Sequence, residues 1–190
     1  MERFRNELTR FIDELYEGEK KVLVHGEGRI GARVMLIGEA PGEQEALQGR
    51  PFVGKAGQNL DHFLELAGLR REEIYISNAV KLRPTKTGKT GRLSNRPPTK
   101  DEIALFRPWL MREIEEVAPG MIATLGNVPL RAVTGRSLSI GEVHGQVLDA
   151  GETGLPLFAL YHPASLIYNR SLTDVYEQDV RALAQRLKEL

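Results

Sequence analysis

Cysteine is absent from all 190 positions, which excludes disulfides, thiolate metal ligands and a cysteine nucleophile. Long apolar runs are absent too: none approaches the ~20 residues that a membrane span requires. The opening residues, Met1-Glu2-Arg3-Phe4-Arg5-Asn6-Glu7, lack the apolar stretch of a secretory signal. A cytoplasmic location with no membrane partner is therefore expected. Net charge is lacking as well, with 26 basic and 26 acidic side chains, so no global field draws the chain to nucleic acid. There is no internal repeat and no break in composition that would mark a boundary. One domain over residues 1–190, acting as a monomer, is expected.

The charges that are present are unevenly spread. Lys81, Arg83, Lys86, Lys89, Arg92, Arg96 and Lys100 fall within residues 81–100, with no acid among them. Such a stretch fits a phosphate-binding face or simply a solvated, mobile segment. Residues 85–98, rich in Thr, Gly, Lys, Arg and Pro, read as a long loop.

Hydrophobic periodicity organises the rest. Phe4, Leu8, Phe11, Ile12 and Leu15 predict a helix over 3–16, and Leu60, Phe63, Leu64 and Ala67 another over 56–67, with Gly68 as its C-cap. Thr99 with Glu102 three residues on makes a capping box for a helix that ends before Pro119. A last helix is predicted over 173–190. Apolar runs at 34–37, 74–76, 121–125 and 157–161 read as buried strands, and 143–158 can hold a hairpin. Strands alternating with helices predict an α/β fold: three layers, α/β/α, around a mainly parallel sheet of about four strands.

Each of those strands runs into polar residues: Gly38-Glu39-Ala40-Pro41-Gly42, Ser77-Asn78, Gly126-Asn127 and His162-Pro163-Ala164-Ser165. In open parallel sheets the ligand crevice lies at the carboxyl ends of the strands. Glu39, Asn78, Asn127 and His162 can thus converge on one pocket. Taken singly each has a structural alternative: a loop carboxylate, a turn cap, the N-cap of a helix over 128–133, a histidine bound to loop backbone. A phenylalanine such as Phe52 in Arg50-Pro51-Phe52-Val53-Gly54 is more often core than a stacking platform.

The blocks Gly38-Glu39-Ala40-Pro41-Gly42, Gly49-Arg50-Pro51-Phe52-Val53-Gly54-Lys55-Ala56-Gly57, Tyr75-Ile76-Ser77-Asn78-Ala79-Val80-Lys81 and His162-Pro163-Ala164-Ser165-Leu166 together resemble the uracil-DNA glycosylase superfamily, most of all its family 4. The resemblance spans roughly residues 30–190. It implies hydrolysis of the N-glycosidic bond of a deaminated base in DNA, after the nucleotide is flipped from the stack, leaving an abasic site for base excision repair. By the resemblance, Glu39 holds the attacking water and His162 stabilises the departing base. Phe52 stacks on the ring, Asn78 reads it, Glu45 crowds its C5, and Ala40, Pro41 and Gly42 lie against the base or a phosphate. Ser165, Leu166, Ile167, Tyr168 and Arg170 belong to the segment that wedges into DNA. Lys81, Arg83, Lys86, Lys89, Arg92 and Arg96 become candidates for its phosphates.

Two departures accompany the resemblance. Family 4 members carry a 4Fe–4S cluster on four cysteines; here Leu82 and Phe106 stand at two of those positions, so no cofactor and no metal are expected. The segment 85–98 is longer than in family 4 and is similar to an insertion in a covalent uracil-trapping subfamily, whose reactive histidine is replaced at about Asn95. Alternatives are a glycosylase for hypoxanthine or xanthine, a non-catalytic binder of damaged or single-stranded DNA, and an α/β enzyme acting on a free nucleotide. The loop at Gly38–Gly42 lacks the Lys-Ser/Thr ending of a P-loop, which argues against phosphoryl transfer.

Overall fold

The computed structural model describes residues 1–190, Ala56 for its backbone only. The chain opens with α1 (Glu2–Leu15), whose Phe4, Leu8 and Ile12 line one buried face. Strands β1 (Glu27–Gly28) and β2 (Val34–Gly38) follow, then α2 (Glu43–Gln48) and α3 (Lys55–Ala67). A 3-10 turn at Arg71–Glu73 leads into β3 (Tyr75–Asn78). Next come β4 (Thr85–Thr87), β5 (Leu93–Asn95), α4 (Lys100–Val117), β6 (Met121–Leu125) and α5 (Asn127–Thr134). The short α6 (Ile140–Val143), β7 (Val147–Asp149), β8 (Pro156–Leu160), α7 (Ser165–Tyr168) and the long α8 (Thr173–Lys188) complete the order.

Helix ends fall where local chemistry puts them. The Thr99 hydroxyl accepts from the Glu102 N–H at 3.2 Å, and the Glu102 carboxylate accepts from the Thr99 N–H at 2.7 Å. Both otherwise orphaned donors of the first turn are thereby satisfied. Gly68 ends α3 in the left-handed conformation at φ +64°, which costs glycine little. Among the described residues, no helix is long and apolar enough to cross a membrane.

The main sheet has six strands in the order β1-β3-β2-β6-β8-β7. The four central strands run parallel, as the apolar runs lead one to expect. The expected count of about four is corrected by β1 and β7, short antiparallel edges. Along β2, Val34 and Leu36 face one side while Met35 and Ile37 face the other, as a period of two requires. On one side they pack with Phe63 of α3 and with Tyr176, Val180 and Leu183 of α8. On the other they meet Leu110 and Ile114 of α4 and Leu130 of α5. Each fully buried aliphatic side chain contributes about 1.5–3 kcal/mol, and the two-sided burial explains why these strands are continuous apolar runs.

The segment 85–98 is not a loop. β4 and β5 pair antiparallel, Thr85 opposite Asn95 and Thr87 opposite Leu93, and Gly91 turns the chain between them at φ +78°. The ribbon stands apart from the main sheet and its strands are largely exposed.

Candidate active site

Three of the four strand ends supply the site. Glu39 follows β2 directly, and the backbone N–H of Val80 donates to its carbonyl at 3.0 Å, which extends the β2–β3 pairing past Gly38 and Asn78. Asn78, the last residue of β3, is 3% exposed. His162 lies two residues beyond β8. Together with Phe52, Asn78 and His162 line a cavity of about 390 Å³. A second compartment of about 360 Å³, lined by Glu39, Pro41 and Pro97, shares Ala40, Gly42, Asn95 and His162 with the first. His162 therefore sits between the base-sized cavity and the carboxylate.

The fourth strand end takes no part. Asn127 is the first residue of α5, behind an N-cap at Gly126, and its Oδ1 accepts from the Ile140 N–H at 2.8 Å. The expected N-cap role is thus corrected: this side chain ties α5 to α6.

The floor of the cavity admits only glycine. A Cβ on Gly38 would come within 2.5 Å of Asn78 Oδ1 and 2.6 Å of Phe52 Cζ, so amide and ring both lie over the bare Cα. Phe52 is 4% exposed and holds φ at +53°, a left-handed backbone that costs a non-glycine residue on the order of 1–3 kcal/mol. Its ring lies nearly parallel to that of His162, centroids 6.4 Å apart at 25°.

Electrostatics separate the two titratable groups. Burial pushes the Glu39 carboxyl above the usual carboxylate range, and burial holds His162 below the usual histidine range. The Ala164 N–H donates to His162 Nδ1 at 3.1 Å. Nδ1 therefore carries a lone pair, and the neutral ring bears its hydrogen on Nε2. A neutral donor shared by the two compartments and a half-buried carboxylate in the second can stabilise a departing anion and hold a water.

Glu45 is buried and lines the cavity, but its Oε1 is occupied by the N–H groups of Val53 (3.1 Å) and Gly54 (2.9 Å). It anchors the Phe52 turn as well as shaping the wall. Gln44, Lys55 and Asn95 also line the cavity; Asn95 stands at the position that the resemblance gives to a reactive histidine, whereas sequence reasoning gave Gln44 and Lys55 no role in it. Lys55 had a usable signal, since it lies inside the Phe52 block.

The basic candidates divide. Lys81 is fully buried, and its ammonium donates to the Asn78 carbonyl at 2.7 Å while pairing with Glu113. Its expected DNA role is corrected, because no phosphate can reach it. Arg96 is forked onto Glu102 and donates to the Thr85 carbonyl, fastening the root of the hairpin. Arg83 donates to Asn95 Oδ1 at 2.7 Å. Lys86, Lys89 and Arg92 are exposed on the hairpin. After His162, the Ser165 N–H caps back onto the His162 carbonyl, and Leu166 packs partly into the core. Of the expected wedge residues, Ile167 and Tyr168 are the apolar side chains that protrude, 56% and 89% exposed, with Arg170 exposed beside them.

The residues do not fit an iron–sulfur cluster. No thiolate is available, and Leu82 and Phe106 join Phe4, Leu8, Ile12, Val80 and Trp109 in one apolar cluster beneath α1. No step of the chemistry is routed through such a group.

A profile of the Uracil DNA glycosylase superfamily matches residues 25–188. The Type-4 uracil-DNA glycosylase of Saccharolobus solfataricus is 39% identical over 175 residues, covering 88% of this chain and 77% of that protein. The Type-4 enzyme of Thermotoga maritima is 41% identical over 152 residues, covering 78% and 73%. The Type-5 uracil-DNA glycosylase of Pyrobaculum aerophilum is 34% identical over 159 residues, 75% of this chain and 66% of that protein. A solved structure titled "The crystal structure of WT Pedobacter heparinus SMUG2" aligns at a TM-score of 0.60 with 15% identity, over 100% of this chain and 86% of that one; at that identity the likeness concerns the fold.

Proposed function

The chain belongs to the uracil-DNA glycosylase superfamily, and from that premise we propose how its residues divide the work. It hydrolyses the N-glycosidic bond of uracil in DNA. The nucleotide leaves the duplex, because the bond is out of reach within the stack. Phe52 stacks on the ring, and the Asn78 amide pairs with N3–H and O4, one acceptor and one donor. Cytosine offers the reverse pattern and would leave both partners unpaired. As the bond breaks, its electron pair goes to the base, and His162 donates from Nε2 to O2 of the departing anion. Glu39 faces the cationic sugar, orients the attacking water and takes its proton. The observation that carries this reading is the shared position of the neutral His162 ring between the Asn78–Phe52 cavity and the Glu39 compartment. Incubation with a labelled uracil oligonucleotide should release free uracil. On a denaturing gel the protein should run apart from the DNA, because the Asn95 carboxamide is a poor nucleophile and water wins. A protein–DNA adduct would overturn the hydrolytic reading.

Glu39→Gln should slow excision by about 10²–10⁴ yet leave the protein at least as stable at neutral pH. A carboxyl whose folded pKa is raised favours folding at low pH. That contribution is lost as pH rises from the ordinary carboxylate value through the raised one. The variant should therefore gain on the wild type between about pH 4 and pH 7, measured by denaturant unfolding at both. A variant less stable than wild type at neutral pH would contradict the assigned cost of the carboxylate.

The hairpin cations support a phosphate contact: Lys86, Lys89 and Arg92 are exposed and no acid is interleaved with them in the sequence. Replacing the three with Ser should weaken binding to any sequence alike and lower the salt slope by about 2–3. An unchanged slope would remove the hairpin from the interface.

A further inference from the structure

The Phe52 turn is held at more points than a surface loop needs. Arg71, in the turn before β3, donates from Nη2 to the Pro51 carbonyl at 2.7 Å and from Nη1 to the Phe52 carbonyl at 3.1 Å. The same guanidinium meets Glu27 at 3.1 Å, and Glu27 in turn receives Arg50 through two nitrogens at 2.9 and 3.0 Å. From the other side Glu45 takes the next two N–H groups, those of Val53 and Gly54. A Cβ on Gly57 would come within 2.4 Å of the Phe52 carbonyl, so α3 is pressed against the same peptide. Four consecutive residues thus have a backbone group fixed by a charged side chain around one left-handed phenylalanine. Strain of that kind persists only where the surroundings over-determine it.

We propose that Arg71, held by Glu27, is a positioning residue for base recognition: its two-pronged grip on the Pro51 and Phe52 carbonyls keeps the Phe52 ring at the stacking distance for uracil. Arg71 is absent from the cavity wall and acts through Phe52. Because the turn that carries it runs directly into β3, the clamp also fixes the platform relative to Asn78, the reader at the far end of that strand. The rigid fork fixes the relative direction of its bonds to two adjacent carbonyls and a carboxylate, which the point-like ammonium of a lysine on its flexible stem does not. The inference rests on the stacking role of Phe52.

The test compares Arg71→Gln, Arg71→Lys and Phe52→Ala with the double variant Arg71→Gln/Phe52→Ala. Single-turnover excision and inhibition by free uracil are measured well below each melting temperature. Arg71→Gln and Arg71→Lys should each lose about tenfold in excision, since small displacements of a reacting ring are costly, and free uracil should inhibit them correspondingly less. In the Phe52→Ala background the Arg71→Gln change should matter by less than about twofold, because coupled residues are not additive. A purely structural role would depress both backgrounds alike and leave uracil inhibition unmoved, and either result overturns the proposal. If Phe52→Ala is impaired while Arg71→Gln is not, the clamp alone is wrong. If Phe52→Ala excises normally, the stacking role fails and the clamp with it.

Discussion

Asn78→Ala should lose between about 30-fold and 10⁴-fold in uracil excision. The amide is 3% exposed and makes two bonds to the base in the proposed complex. Each buried group left without its partner costs about 1–3 kcal/mol, and about 1.4 kcal/mol is a factor of ten. The lost amide faces a cavity that is already open, so the fold should barely notice the change. Asn78→Asp should fail as severely, since a carboxylate has no donor for O4. Single-turnover rates check both, with circular dichroism as the control for folding. Wild-type excision by Asn78→Ala would remove Asn78 as the reader.

The second large effect concerns stability. Lys81 and Glu113 are 0% and 1% exposed and paired with each other. Glu113 also accepts from the Tyr75 hydroxyl at 3.1 Å and the Ser77 hydroxyl at 2.8 Å. Lys81→Met strands an ionised carboxylate in the core, which costs about 3–5 kcal/mol, a large share of a native margin of about 5–15 kcal/mol. Removing both charges, as in Lys81→Met/Glu113→Leu, should recover much of that loss, because apolar replacements of buried pairs are often neutral. Urea unfolding gives the answer. A Lys81→Met protein within about 1 kcal/mol of wild type would show that the pair carries no such weight.

That pair also marks where sequence reading stops. The central strands and the long helices are legible because two-sided burial writes continuous apolar runs and one-sided burial writes a helical period. The polar residues after β2, β3 and β8 are legible as a site because a parallel sheet puts those ends together. Lys81 looks like one more cation in a basic stretch, since its partner lies 32 residues away on α4. The hairpin β4–β5 reads as a loop because its strands are largely exposed and leave little hydrophobic signature. The wedge segment is legible as a whole, but not which of its apolar side chains turn inward: Leu166 packs partly into the core while Ile167 and Tyr168 protrude, because the orientation of a four-residue helix is set by packing and not by composition. The Arg71 clamp joins residues 19 and 20 apart through backbone carbonyls, a contact that no residue type advertises.

Hydrolytic excision of uracil in this cavity leaves an abasic site, which alkaline strand cleavage reveals. A labelled single-uracil oligonucleotide is incubated with the protein, treated with alkali and run beside the same oligonucleotide carrying cytosine. Cleavage should appear at the uracil position, not at cytosine, and should be strongly reduced with Asn78→Ala. An intact uracil strand after incubation with the wild-type protein would contradict hydrolytic excision.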